Sequence, residues 1–141
     1  MKVLTLLRRV SSDFKCMQEY IFVLPGETPA KKNSRITLRN GKTIPSKNYT
    51  EWHSMSLREL FVQKKPEEPI TSPVSVILSF YHGDQRRRDS DNGTSSIMDL
   101  LVDAKILADD NWQIVRQIAV FNYYDKGAPR CRVSICQMQE E

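Results

Sequence analysis

The chain has 141 residues, with 21 Lys or Arg against 17 Asp or Glu, a formal net charge of +4, 40% hydrophobic and 27% charged residues, 5 Gly and 7 Pro. That length supports one compact core and leaves no room for two ordinary domains. The composition excludes collagen, simple low-complexity disorder and a disulfide-rich mini-protein, and no apolar run approaches the roughly 18 residues a membrane-spanning helix needs.

The opening Met1-Lys2-Val3-Leu4-Thr5-Leu6-Leu7 imitates a secretory leader, but Arg8 and Arg9 interrupt it and no small-residue cleavage site follows. Residues 1–16 therefore read as an N-terminal extension, either ill-ordered or produced by an upstream start codon, and residues 17–141 as a single domain. Tyr20-Ile21-Phe22-Val23-Leu24 is rich in strand formers and stops at the turn pair Pro25-Gly26, which predicts a buried strand. Residues 29–49 are polar and basic, with Asn40-Gly41 favouring a hairpin turn inside a basic loop or ribbon. Asn48 three residues before Glu51 resembles a capping box, and Tyr49, Trp52, Leu57 and Leu60 share a helical face, so a helix is predicted over 49–63.

Val74 to His82 alternates, with Val74, Val76, Leu78 and Phe80 on one side and Ser75, Ile77, Ser79 and Tyr81 on the other, the pattern of a strand. After a charged turn over 83–92, Ile97, Leu100, Leu101, Ala104 and Leu107 recur at helical spacing and predict a second helix over 94–107. Two last strands over 116–124 and 130–138 read as a hairpin through Asp125-Lys126-Gly127-Ala128-Pro129. The expected fold is α+β: a small mixed β-sheet of about four strands packed against two or more helices.

Cys16, Cys131 and Cys136 are odd in number and form no CxxC pair, which points to small apolar thiols, a reducing compartment and a cytoplasmic location. Cys131 and Cys136 are five apart in a predicted strand and should face opposite sides of it.

Charge is segregated along the chain. Residues 29–49 carry Lys31, Lys32, Arg35, Arg39, Lys42 and Lys47 with no acidic residue, whereas 89–110 carry Asp89, Asp91, Asp99, Asp103, Asp109 and Asp110 against Lys105 alone. The first segment suits phosphate and the second suits cations. Asp89 and Asp91 would point to the same side of an extended chain and converge on one ion, with Asp109 or Asp110 returning beside them. Carboxylates without thiolate or imidazole favour Mg²⁺ or Mn²⁺ over zinc, and His53 and His82 have no partner at ligand spacing. On charge alone, a solvated turn and a polar helix exit are the commoner explanation of these aspartates, ahead of a metal site.

The order of the pieces is more specific. Arg88-Asp89-Ser90-Asp91-Asn92, a helix containing Met98-Asp99-Leu100-Leu101, and Leu107-Ala108-Asp109-Asp110-Asn111-Trp112-Gln113-Ile114-Val115 resemble the core motif of the RusA family of Holliday junction resolvases. Pro25-Gly26 and Lys31-Lys32-Asn33-Ser34-Arg35 are similar to that family's basic N-terminal loop. The resemblance implies a homodimeric, Mg²⁺-dependent endonuclease that cuts four-way DNA junctions. It implies Asp89, Asp91 and Asp110 as the metal-holding catalytic residues, Asp99 and Asp109 as outer partners, and Lys31, Lys32, Arg35 and Arg88 as DNA contacts.

Two positions depart from the family pattern. Ser95 stands where the family carries a lysine, so Lys31, Lys32, Lys105 or an arginine must substitute, or cleavage is slow or lost. Trp112 is inserted between Asn111 and Gln113 and is expected as a buried aromatic. The alternative to a nuclease is a non-catalytic module that binds branched DNA and has lost cleavage with that lysine. Nucleotide-sugar transfer lacks a glycine-rich nucleotide turn here, and serine hydrolysis lacks a nucleophile elbow.

Overall fold

The computed structural model describes residues 15–30 and 35–139. Lys31, Lys32 and nearly all of the expected N-terminal extension lie outside the described residues. The elements in chain order are β1 (Cys16–Pro25), β2 (Arg35–Thr37), β3 (Thr43–Pro45), α1 (Lys47–Val62), β4 (Val74–His82), α2 (Thr94–Asp103), β5 (Val115–Tyr124) and β6 (Arg130–Met138). Four strands form a mixed sheet in the order β1-β6-β4-β5, and β2 and β3 form a separate two-stranded ribbon. The fold is α+β, as the hydrophobic periodicity predicts, and no helix among the described residues is long and apolar enough to cross a membrane.

The alternation in β4 sorts its side chains as expected. Val74, Val76, Leu78 and Phe80 join the main core beneath the helices, with Leu60 of α1 and Ile97, Leu100 and Leu101 of α2. Ile77 lies on the opposite face in a smaller cluster with Cys136. Cys131 belongs to the main core and Cys136 to the smaller cluster, so the two do face opposite sides of β6. Cys16 and Cys136 are joined across β1 and β6 as a disulfide with a Cα–Cα distance of 5.6 Å. This corrects the expectation of three apolar thiols, and it removes cysteine usage as an argument for a reducing compartment. The odd count leaves Cys131 free and buried, and burial pushes its thiol pKa up.

Three boundaries differ from the sequence expectation for identifiable reasons. The cap of α1 is Ser46, not Asn48: its hydroxyl accepts a hydrogen bond from the Tyr49 amide at 3.2 Å, in the extended backbone that follows Pro45. α2 stops at Asp103, short of Leu107, because Lys105 turns to a left-handed φ of 62° and the Ile106 and Leu107 amides both return to the Leu101 carbonyl. Leu107 then pairs with Ile70 in a short parallel bridge. Its apolar side chain is buried as the periodicity requires, but outside the helix.

The predicted hairpin of the last two strands does not form. β5 pairs parallel with β4, while β6 runs antiparallel to both β4 and β1, so β4 separates β5 from β6. The 125–129 connection steps over the end of β4, where the Asp125 amide donates to the His82 carbonyl at 2.8 Å. Strands lie about 4.8 Å apart, so five residues can bridge one intervening strand as readily as they close a tight turn. The parallel β4–β5 pair requires a crossover, and α2 supplies it. The acidic segment is that crossover, with its turns before and after the helix.

The Asn40-Gly41 hairpin forms as read. Gly41 sits at a φ of +84°, the Lys42 amide donates to the Asn40 side chain at 3.0 Å, and β2 pairs with β3 from Arg35–Pro45 to Thr37–Thr43.

Candidate active site

Asp91, Ser95, Asp99 and Asp103 recur every four residues, which in a helix places them along one side. Asp91 precedes α2 in a tight turn: the Asn92 amide donates to the Asp89 carbonyl and the Thr94 amide to the Asp91 carbonyl, each at 3.1 Å. The expected extended conformation of Asp89-Ser90-Asp91 is therefore replaced by a turn, and the two residues line different cavities. Asp91, Asp99 and Asp110 line one cavity of about 520 Å³ together with Ser95 and Arg35. Asp89 lines a neighbouring cleft of about 260 Å³, and Asn92 borders both.

A second cavity of about 540 Å³ shares Asp99 and Asp110 with the first and continues to Asp103, Asp109 and His53. His53 has no ligand-spaced partner in sequence, yet α1 brings its Nε2 to 2.8 Å from Asp103 on α2. Among the described residues no three His, Cys, Asp or Glu side chains are drawn together closely enough to hold one ion. The first cavity nevertheless offers only carboxylate oxygen as anionic donor, a chemistry that fits a hard divalent ion.

The turn at 109–114 holds Asp110 in place by using its neighbours. Asp109 accepts from the Asp110 amide and from the Asn111 side-chain amide, both at 2.8 Å, and these bonds, the Asn111 one foremost, hold its carboxyl below the ordinary range. The Asn111 side-chain oxygen in turn accepts from the Gln113 and Ile114 amides at 3.0 and 3.3 Å. Ile114 and Val115 supply the apolar contacts to the core. That leaves Trp112 outside: it is 73% exposed, correcting the expectation of a buried aromatic.

The turn carrying Asp89 and Asp91 is held by residues that sequence spacing could not connect. Glu27, just after β1, accepts from the Gly83 amide at 2.8 Å and pairs with His82 Nδ1 at 3.1 Å. His82 Nε2 lies 2.9 Å from the Asn122 side-chain oxygen, and the Asn122 amide donates to the Ser90 carbonyl at 3.1 Å. Ser90 is thereby tied to β4, β5 and the β1 exit. Arg88 is only 19% exposed, with its guanidinium 2.9 Å from Asp84 and 3.6 Å from Glu27. The Ser96 hydroxyl donates to the Pro29 carbonyl at 2.6 Å and fastens α2 to the same β1 exit. No local motif announces these links; the signal in sequence is only that polar Glu27, His82 and Asn122 each sit at or beside the end of a strand.

Gly93 allows this turn to close against the core. A methyl group there would stand 2.7 Å from the Phe80 ring and 3.1 Å from the Thr28 methyl. Gly93→Ala is expected to lower the unfolding free energy by about 1–3 kcal/mol, the usual cost of overpacking, as read from denaturant unfolding curves.

The basic segment meets this site on both sides. Ala30 lines the cleft with Asp89 and Arg35 lines the cavity with Asp91 and Asp110. A turn, a helix and a second turn bearing aspartates, facing an arginine from a basic ribbon, form a surface suited to a phosphodiester. Residues 25–136 match the model of the family described as endodeoxyribonuclease RusA. The chain is also 26% identical over 116 residues to the crossover junction endodeoxyribonuclease RusA of Aquifex aeolicus (strain VF5), covering 82% of this chain and 87% of that protein. With most of its length matched, the chain belongs to the endodeoxyribonuclease RusA family.

Proposed function

We propose that this protein is a divalent-metal-dependent endonuclease, with Mg²⁺ or Mn²⁺ as its ion, that resolves four-way DNA junctions as a homodimer of single-domain chains. The observation that carries the reading is the shared cavity of Asp91, Asp99 and Asp110 with Arg35 at its wall. The carboxylates that line it give the cavity wall a negative charge that a bound cation would offset. Asp91 and Asp110 would hold the ion, joined by Asp89 from across Asn92, with Asp99 as outer partner. When bound, the ion supplies neutralisation of phosphate charge and a lowered pKa for water.

The chain's own residues do the remaining work. Arg35 engages a phosphate oxygen of the scissile strand and offsets charge that develops there. Lys31 and Lys32, between Ala30 and Arg35, extend the DNA contact along the backbone. Arg88 contributes chiefly by keeping the aspartate turn in place through Glu27 and Asp84, with its remaining donors toward phosphate. A two-fold protein would present one such site to each of two opposed strands of a two-fold junction.

The test is cleavage of a synthetic four-way junction with Mg²⁺ or Mn²⁺. Nicked duplex products, absent with EDTA and absent on linear duplex, are the expected result. Salt-sensitive junction binding without product under either ion would establish the non-catalytic module instead. Replacing Lys31 and Lys32 together by alanine is expected to reduce the slope of log K against log salt by about 1–2. An unchanged slope removes them from the DNA contact.

A further inference from the structure

We infer that Trp112 and Arg116 form a stacking platform for a base opened from its pair at the branch point, beside the carboxylate cavity. The inference rests on the junction-cleaving reading and specifies how the junction is engaged. The chain has two tryptophans: Trp52 is packed in the core at 8% exposure, and Trp112 is 73% exposed. Leaving the largest apolar side chain in water is unfavourable, and the turn has no need of it there, because Ile114 and Val115 make its contacts to the core and a smaller polar residue would serve at position 112.

The indole is held ready for a planar partner. The Asn111 side chain and carbonyl accept four amide hydrogen bonds from Gln113, Ile114 and Val115, which makes the supporting turn stiff. The Arg116 guanidinium lies 5.7 Å from the ring centroid, and its Nε donates to the Gln113 carbonyl at 3.4 Å. Among the described residues no other aromatic ring packs on Trp112. With the guanidinium over one face of the indole, the opposite face is the one that can take a base, a stacking that is tolerant of sequence, with the cation close enough to reach the adjoining phosphate.

Its location selects the partner. Trp112 follows Asp110 by two residues, and Ile118, two residues beyond Arg116 along β5, lines the same cavity as Asp91 and Asp110. A strand with its phosphate in that cavity would bring a neighbouring nucleotide to the indole. In continuous duplex that base is stacked on both sides, whereas at a branch point the stack is interrupted and its pair opens at a lower cost. The platform would therefore favour branched over linear DNA.

The experiment compares the parent protein with Trp112→Phe and Trp112→Ala on a four-way junction carrying 2-aminopurine at the branch point, with EDTA for binding and Mg²⁺ for cleavage. The expected result is a change of 2-aminopurine fluorescence with the parent and Trp112→Phe that is lost with Trp112→Ala, and junction binding roughly ten-fold weaker for Trp112→Ala. Quenching of parent tryptophan fluorescence by the junction, several-fold greater than by linear duplex, should vanish in both variants because buried Trp52 remains. A parent that cleaves the junction while Trp112→Ala binds and cleaves equally well overturns the platform and leaves the nuclease reading standing. So does a Trp112→Ala protein that elutes at half the parent's mass, which would place Trp112 between two copies of the chain. A parent that neither binds nor cuts the junction removes the resolvase reading, and the platform with it.

Discussion

Asp91→Asn and Asp110→Asn are each expected to reduce Mg²⁺-supported junction cleavage by on the order of 10³-fold or more, equivalent to about 4 kcal/mol of barrier, while leaving junction binding within a few-fold of the parent. Both carboxylates line the cavity that Arg35 also borders, and the change to an amide preserves shape while removing charge. Asp89→Asn should lose activity to a similar degree, since its carboxylate is the third proposed holder of the ion, while the backbone carbonyl that accepts from the Asn92 amide is unchanged by the substitution. Binding need not fall, because removing negative charge beside a polyanion is favourable or neutral for association. Single-turnover cleavage and gel-shift titrations on the same preparations separate the two effects. Cleavage by Asp91→Asn at the parent's rate would show that the cavity is not the reaction site.

Arg35→Ala is expected to lower single-turnover cleavage about 10²-fold with a much smaller change in binding, the usual consequence of removing one donor aimed at developing charge. Arg35 reaches the cavity from β2, while Ser95 lines the same cavity from the first turn of α2, at the position where the resemblance noted in the sequence implies a lysine. An ammonium on α2 and a guanidinium on the ribbon therefore address the same space from two sides. Introducing Ser95→Lys into the Arg35→Ala protein should recover about ten-fold of the loss, and Ser95→Lys alone should raise the parent's rate. If Arg35→Ala cleaves normally, the substitute cation lies elsewhere; if Ser95→Lys depresses the parent but not the Arg35→Ala protein, the cavity is already filled by the arginine.

These outcomes depend on features of unequal visibility in the chain. The alternation of Val74 to His82 located β4 to the residue, since a strand with one face under helices and the other carrying Ile77 beside Cys136 must sort its side chains. α1 was legible to within two residues at its start, although Pro45 and the hydroxyl of Ser46 moved the cap upstream of Asn48. The end of α2 was not legible, because Ile106 and Leu107 continue the helical spacing while a left-handed Lys105 has already redirected the backbone. At the site, the acidic positions and Arg35 could be named beforehand, and the four-residue spacing of Asp91, Ser95, Asp99 and Asp103 was available as a further signal. The Glu27–His82–Asn122 chain was not, since its bonds span 55 and 40 residues.

By itself the sequence determined which stretches would be strands and helices, which faces they would bury, and that opposite charges would collect in two separate segments. Hydrophobic periodicity and side-chain chemistry are local properties, and they carry that much. Only the tertiary structure decided that β4 lies between β5 and β6, that Asp91 shares a cavity with Asp99 and Asp110 while Asp89 borders the next cleft, and that Trp112 faces water. A short connecting loop constrains the distance between strand ends, not the identity of the neighbouring strand. Which strand fills that place, and so which carboxylates meet, depends on burial of the whole sheet at once.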